Sequence, residues 1–327
     1  MMENIDVNRE LVEIKKEFYR LKQIMNNDGQ HVVEKEISAL EKRVKNIEND
    51  DCFEALALVK LSRNQKRPTT KLLCDLLLDD FIELHGDRLF ADDPSIVGGI
   101  GFLDDKPVTV IGHQKGRNVH ENVYRNFGMA HPEGYRKALR LMKEAEIFGR
   151  PVITFIDTPG AYPGIEAEKR GQSRAIAQNL YELSGLKTPS VSIVIGEGGS
   201  GGALALGITD RIFMFSNAIY SVISPEGCAS ILWKDAGQAA KAAKHLNLSA
   251  KDQLRFKIID EIIEEPDFEH LEDYSEFAQS LKEMLNRELD DLSEKSLEVL
   301  LSERYDKFRN IGLEFYPDFQ RQGYDMK

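Results

Sequence analysis

Apolar positions change period several times along this chain, and each change marks an element. Leu11, Ile14, Phe18, Leu21 and Met25 recur at steps of three and four, Asn26-Asn27-Asp28-Gly29 interrupts them, and Val33, Ile37, Leu40, Val44 and Ile47 resume the pattern. That spacing predicts two amphipathic helices joined as a hairpin. A hairpin of this size buries little alone, so it packs on the main body, packs on another subunit, or is a plain extension; the sequence leaves these open. Residues 63–71 are polar and hold Pro68, a connector. A helix is predicted over 72–84, then strands over 96–103 and 108–112 joined by the turn signal Asp104-Asp105-Lys106-Pro107. Gly98, Gly99 and Gly101 within the first strand point to a close backbone neighbour or a bulge. A polar loop over 112–132 leads to a helix over 135–148, a strand over 151–156 and a helix over 166–183. Short strands over 211–215 and 219–223 precede a helix with Pro225 at its first position, and the chain beyond Pro266 is acidic and helical. Strand, loop and helix recur through the middle, which predicts an α/β fold with helices packed on a sheet.

The densest punctuation lies at residues 190–207, S-V-S-I-V-I-G-E-G-G-S-G-G-A-L-A-L-G. The β-branched run at 191–195 reads as a buried strand, and Gly196, Gly198, Gly199, Gly201 and Gly202 lead into an Ala/Leu helix. Such a junction either packs helix tightly on strand or holds an oxyanion on main-chain N–H groups at the positive end of a helix dipole. A second glycine turn, Asp157-Thr158-Pro159-Gly160-Ala161-Tyr162-Pro163-Gly164, follows another buried strand. If the two strands are parallel neighbours, both turns meet at one carboxyl edge, where α/β proteins bind ligands.

Composition narrows the chemistry. The 327 residues carry a formal charge of −12, which argues against nonspecific nucleic-acid binding and anionic membranes. Cys52, Cys74 and Cys228 are scattered, so neither a disulfide framework nor a zinc ribbon is expected. No apolar run has the length of a membrane span and no signal peptide is evident, so a cytoplasmic protein is expected.

Other motifs compete. Asp157-Thr158-Pro159-Gly160 matches a GTPase switch motif, but no G-x-x-x-x-G-K-[ST] phosphate loop accompanies it. Gly198-Gly199-Ser200-Gly201-Gly202 fits G-x-S-x-G, which makes a serine hydrolase using Ser200, with His245 or His270 as base, the alternative function. Lys115, Arg117 and Arg125, with Arg136, Lys137 and Arg140 on the next helix, are candidate anion contacts, or else a solvated face.

Six stretches in order, I-V-G-G-I-G (96–101), I-G-H-Q-K-G-R (111–117), R-N-F-G-M-A-H-P-E-G-Y-R-K-A-L-R-L-M (125–142), F-I-D-T-P-G-A-Y-P-G (155–164), I-G-E-G-G-S-G-G-A-L-A (195–205) and Y-S-V-I-S-P-E-G-C-A-S-I-L-W-K (220–234), closely resemble the carboxyltransferase α subunits of bacterial acetyl-CoA carboxylases. The resemblance runs unbroken from about residue 40 to 265. It implies a crotonase-like spiral of β-β-α units, with core about 71–265, an N-terminal helical hairpin and C-terminal helices. The implied organisation is a helical arm over 1–39 whose hairpin continues to about 50, a carboxyltransferase domain over 40–292 and a helical tail over 293–327. The implied reaction moves a carboxyl group from carboxybiotin, borne by a separate carrier protein, to acetyl-CoA, giving malonyl-CoA for fatty-acid synthesis. The implied partners are a β subunit of like fold bearing a zinc ribbon (α2β2), the biotin carboxyl carrier protein and biotin carboxylase. No metal is expected in this chain. By resemblance this subunit holds the biotin oxyanion, a role expected of the Gly201 and Gly202 amides supported by Gly198, Gly199 and Gly160. Lys115, Arg117, Arg125 and Gly164 are the expected substrate contacts.

Overall fold

The computed structural model describes residues 51–266 and 274–313, together with Lys16. The expected hairpin of residues 11–47 lies outside the described residues. The chain divides into two compact units, of which one holds described residues 16, 51–60 and 223–248 and the other 61–222 with those from 249 onward.

From residue 51 the described chain runs through α1 (Asp51–Ser62), α2 (Thr70–Leu77) and β1 (Asp79–Glu83), followed by the hairpin of β2 (Ile96–Leu103) and β3 (Lys106–His113). Then come α3 (Val119–Tyr124), α4 (Pro132–Phe148), β4 (Val152–Thr158), α5 (Ile165–Lys169) and α6 (Gln172–Ser184). Next are β5 (Ser190–Gly199), α7 (Ser200–Gly207), β6 (Arg211–Phe215), β7 (Ile219–Ser221), α8 (Pro225–Trp233) and α9 (Ala239–Leu246). The described chain closes with α10 (Ala250–Arg255), β8 (Glu261–Ile263), α11 (Tyr274–Ser293) and α12 (Leu297–Asn310).

One sheet in the order β1-β2-β3-β4-β5-β6-β8 organises the larger unit, with β7 beside the end of β5. The β1–β2 and β2–β3 pairs are antiparallel and the others parallel. β4 is buried along its whole length and β5 along all but Gly199, as continuous apolar strands covered on both faces should be. Leu73, Leu141, Phe155, Ile193 and Leu206 belong to the single core cluster around it. In the smaller unit, Pro225 begins α8 and the Ser224 side chain caps it by accepting from Gly227 N.

Three expectations change. The helix predicted over 72–84 ends at Leu77, because Leu78 turns extended (φ −115°, ψ 142°) and residues 79–83 pair with β2 as an edge strand. Gly99 lets that strand close, since a side chain there would land on the Ile82 carbonyl. The helix predicted over 166–183 is two helices broken at Gly171, whose φ of +84° is left-handed. The polar loop over 112–132 contains α3 and a turn in which Asn126, Phe127 and Gly128 all have positive φ.

Arg304 ties α12 to the sheet. Nearly inaccessible at 1% exposure, it donates to both Asp210 carboxylate oxygens at 2.7 Å and to the carbonyls of Leu183, Leu186 and Thr188.

Candidate active site

The two glycine turns are neighbours. β4 and β5 run parallel in register from Val152↔Ser190 to Ile156↔Val194, and after a register shift Thr158 lies opposite Gly198, next to the end of β5. The turns after them therefore leave the same sheet edge. Close approach is built into the residue types. A side chain on Gly199 would occupy the Pro159 carbonyl, and one on Gly198 would enter the Tyr220 ring. A methyl group on Gly202 would sit 2.8 Å from Ala161 N, 2.8 Å from Gly160 C and 2.9 Å from the buried Tyr135 hydroxyl.

α7 starts at Ser200 with Gly199 as its N-cap and no side chain capping it. Its first N–H groups, including those of Gly201 and Gly202, have no intrahelical acceptor and carry the positive end of the helix dipole. Gly201 is half-buried, and a methyl there would make only ordinary contact with Ile176, 3.6 Å away. Opposite, Gly160 has φ +150°, a glycine conformation, with open space where a side chain would be. Its N–H and carbonyl both bond the Thr158 hydroxyl. Ala161 N has no acceptor among the described residues, which makes it a further donor beside Gly202. Nothing in an alanine's identity signals such a main-chain role, so no sequence pattern points to it. Gly164 is the N-cap of α5, placed against the Tyr162 ring.

The basic residues are held inside the fold. Arg125 Nη1 donates to the Pro94 carbonyl at 2.7 Å. Arg136 pairs with Asp87, Lys137 with Asp92, and Arg140 donates to the Gly86 carbonyl, so these side chains fasten the 85–95 loop. Arg117 is the exception: its side chain is exposed, and only its main-chain N–H is seen donating, to the Glu121 carboxylate. Lys115 lies between Asp157 Oδ1 and Glu197 Oε2, 2.7 Å from each. Burial would push its ammonium down, but the two carboxylates outweigh it and hold lysine above its usual value. Glu197 also accepts from Arg63 Nε at 2.7 Å. Burial favours its neutral form, yet Lys115 and Arg63 keep it below the usual glutamate range. These groups line a cavity of about 310 Å³ that also touches Asn122, Phe127 and Pro159.

Ser200 is exposed and has φ +53°, a strained elbow position for a non-glycine residue. Among the described residues its hydroxyl has no histidine partner. His245 is on α9, in the smaller unit, and His270 lies outside the described residues. Among the described residues there is no cluster of His, Cys, Asp and Glu fit to hold a metal ion, and no helix long and apolar enough to cross a membrane.

Comparison with known proteins identifies the family and the fold. The family model described as acetyl co-enzyme A carboxylase carboxyltransferase-like matches residues 4–312. The acetyl-coenzyme A carboxylase carboxyl transferase subunit alpha of Shouchella clausii is 55% identical over 279 residues, covering 85% of this chain and 86% of the relative. The protein of that name from Listeria welshimeri is 50% identical over 315 residues, covering 96% and 99%. Among solved structures, a transcarboxylase 12S chain superposes with a TM-score of 0.57 at 17% identity over 76% of this chain, which spans only 46% of that one. A chain of a Pseudomonas malonate decarboxylase hetero-tetramer gives 0.56 at 16% identity, covering 70% and 90%. These likenesses carry the fold, which is crotonase-like as the motifs implied. On the family match and on relatives this similar along nearly its whole length, the chain belongs to the acetyl-CoA carboxylase carboxyltransferase α-subunit family.

Proposed function

We propose that this chain is the α component of a carboxyltransferase that moves a carboxyl group from carboxybiotin to acetyl-CoA, forming malonyl-CoA. The observation that carries the reading is the uncapped first turn of α7 facing the Gly160–Ala161 turn across the Gly202 contact. Negative charge develops in this reaction on oxygen, and preorganised amides at a helix N-terminus stabilise it best where water is excluded. The residues fit such a ligand: Gly201 is half-buried and uncrowded, and the space before Gly160 is open. Carboxybiotin, when bound, supplies the carboxyl group and a ureido oxygen that gains charge as that group departs. Gly201 and Gly202 hold that oxygen through N–H donation, with Ala161 N as the facing donor. Gly198 and Gly199 let the strand end approach its neighbours closely, and Gly160 shapes the facing turn.

The acetyl-CoA enolate requires a second oxyanion site, which this reading assigns to a β subunit of the same fold bearing a zinc ribbon, in an α2β2 assembly. The biotin carboxyl carrier protein and biotin carboxylase complete the working enzyme, in the cytosol. Arg117, the exposed cation of the group, is the remaining anion contact on this reading.

The test is a pair of variants purified with the partner subunit. Gly202→Val should abolish malonyl-CoA formation. Ser200→Gly, which removes the hydroxyl but suits the left-handed backbone, should retain most of it. Loss of activity in Ser200→Gly, together with labelling of the native serine by a fluorophosphonate, would instead support a serine nucleophile.

A further inference from the structure

We infer that Lys115 is a positioning residue for the proposed oxyanion cradle, clamping the two glycine turns together through Asp157 and Glu197. The inference rests on the glycine-cradle reading above and goes beyond it.

Three adjacent strands meet at this ammonium. Lys115 follows the end of β3 by two residues, Asp157 is on β4 and Glu197 on β5. Lys115 Nζ lies 2.7 Å from an oxygen of each carboxylate, and Asp157 Oδ1 accepts from Glu197 N at 2.9 Å. Each carboxylate stands three residues before a cradle element: Asp157 before Gly160, Glu197 before Ser200. Fixing the two side chains on one cation therefore fixes the separation of the turns that follow. The stem of the lysine is held as well. A methyl on Gly128 would sit 3.0 Å from Lys115 Cγ and 2.7 Å from the Asp157 carbonyl oxygen, so the positive-φ turn over 126–128 packs directly on both. Gly196 permits the remaining approach, since a side chain there would strike the Asp157 carboxylate. The other titratable groups around the cluster are Arg63, beyond α1, on Glu197; Arg67, which lines the same cavity and donates to the Ile195 carbonyl of β5; and His113, on β3, which is buried and held neutral. The lysine supplies what neither glycine turn has, a link in the third dimension that side-chain-free residues cannot make.

The experiment measures kcat and KM for Lys115→Met, Lys115→Arg and Lys115→Met/Glu197→Gln, each purified with the partner subunit, with Gly202→Val as control. Lys115→Met should lower kcat about 100-fold, the effect of a donor displaced by roughly an ångström. Its KM for acetyl-CoA should stay within about twofold, since the clamp touches no part of that substrate. Lys115→Arg should restore much of kcat by keeping the cation. With the ammonium gone, Glu197 loses the charge that does most to hold its carboxyl down and takes a proton more readily. A shared proton partly replaces the link, so the ratio of Lys115→Met to native kcat should rise as pH falls from 8 to 6. The double variant relieves the repulsion and so protects folding, but it does not restore the clamp, and its kcat should stay low and lose that pH dependence. Native kcat in either Met-containing variant, with Gly202→Val inactive, overturns the clamp alone. Activity in Gly202→Val overturns the cradle reading instead.

Discussion

Gly201 and Gly202 are adjacent in sequence, and alanine at the two positions should have opposite consequences. Neither change removes an amide. At Gly201 the new methyl meets Ile176 at 3.6 and 3.8 Å, ordinary van der Waals distances. Replacing glycine in a helix by alanine also restricts the unfolded chain, so Gly201→Ala should leave the protein as stable as before or up to about 1 kcal/mol more so. At Gly202 the methyl meets atoms at 2.8, 2.8 and 2.9 Å, two of which belong to the facing main chain. Reaching normal carbon contact of about 3.5 Å requires α7 and the Gly160 turn to separate by roughly 0.7 Å. Overpacking of that kind costs about 1–3 kcal/mol of stability. The same movement spoils the convergence of donors on one oxygen, and losing a donor of this type costs about 10²–10³ in kcat. The assay is steady-state malonyl-CoA formation by each variant with its partner subunit, alongside denaturant unfolding. Gly201→Ala should lie within a few-fold of native kcat and Gly202→Ala at least about 50-fold below it. Equal kcat values for the two variants would refute the argument.

Two further predictions concern stability. Arg304→Met leaves Asp210 without its cation and takes the side-chain donor from the Leu186 and Thr188 carbonyls, while Leu183 O keeps Leu186 N, so it should cost about 3–5 kcal/mol by denaturant unfolding; a loss under about 1 kcal/mol would show the α12 tie to be dispensable. Burial, reinforced by the Lys115 charge, pushes the His113 imidazole down to about 3. Between about 6.5 and that value the unfolded chain binds a proton that the native protein refuses, so this residue makes stability fall with pH by about 1.4 kcal/mol per unit. His113→Leu should therefore lose about 1 kcal/mol less than the native protein as pH falls from 6.5 to 5.5, and identical losses would contradict the assignment.

The sequence exposed what depends on local pattern. The runs at 96–103, 151–156 and 191–195 are apolar and bounded by turn residues, and observed strands cover all of them except Pro151. β1 was hidden because Asp79-Asp80-Phe81-Ile82-Glu83 continues a helical spacing and becomes a strand only by pairing with β2. β8 has three residues, too few for any period to show. The glycine turns were visible as composition, but the Ala161 donor was not, since its part follows from backbone placement. Nor was the Lys115 cluster foreseeable: Lys115 and Glu197 are 82 positions apart and meet only because β3, β4 and β5 are neighbours. Arg136, Lys137 and Arg140 were read as a possible ligand face because sequence does not reveal that Asp87, Asp92 and the Gly86 carbonyl await them.

The central claim concerns a main-chain hydrogen, and replacing Gly202 with glycolic acid removes that hydrogen while leaving every side chain in place. The ester variant, assembled with its partner subunit, should fold normally and form malonyl-CoA about 10²–10³ times more slowly than the native enzyme. A matching ester at Gly227, whose N–H serves only the Ser224 cap, should leave kcat unchanged. Native kcat in the Gly202 ester would contradict the account.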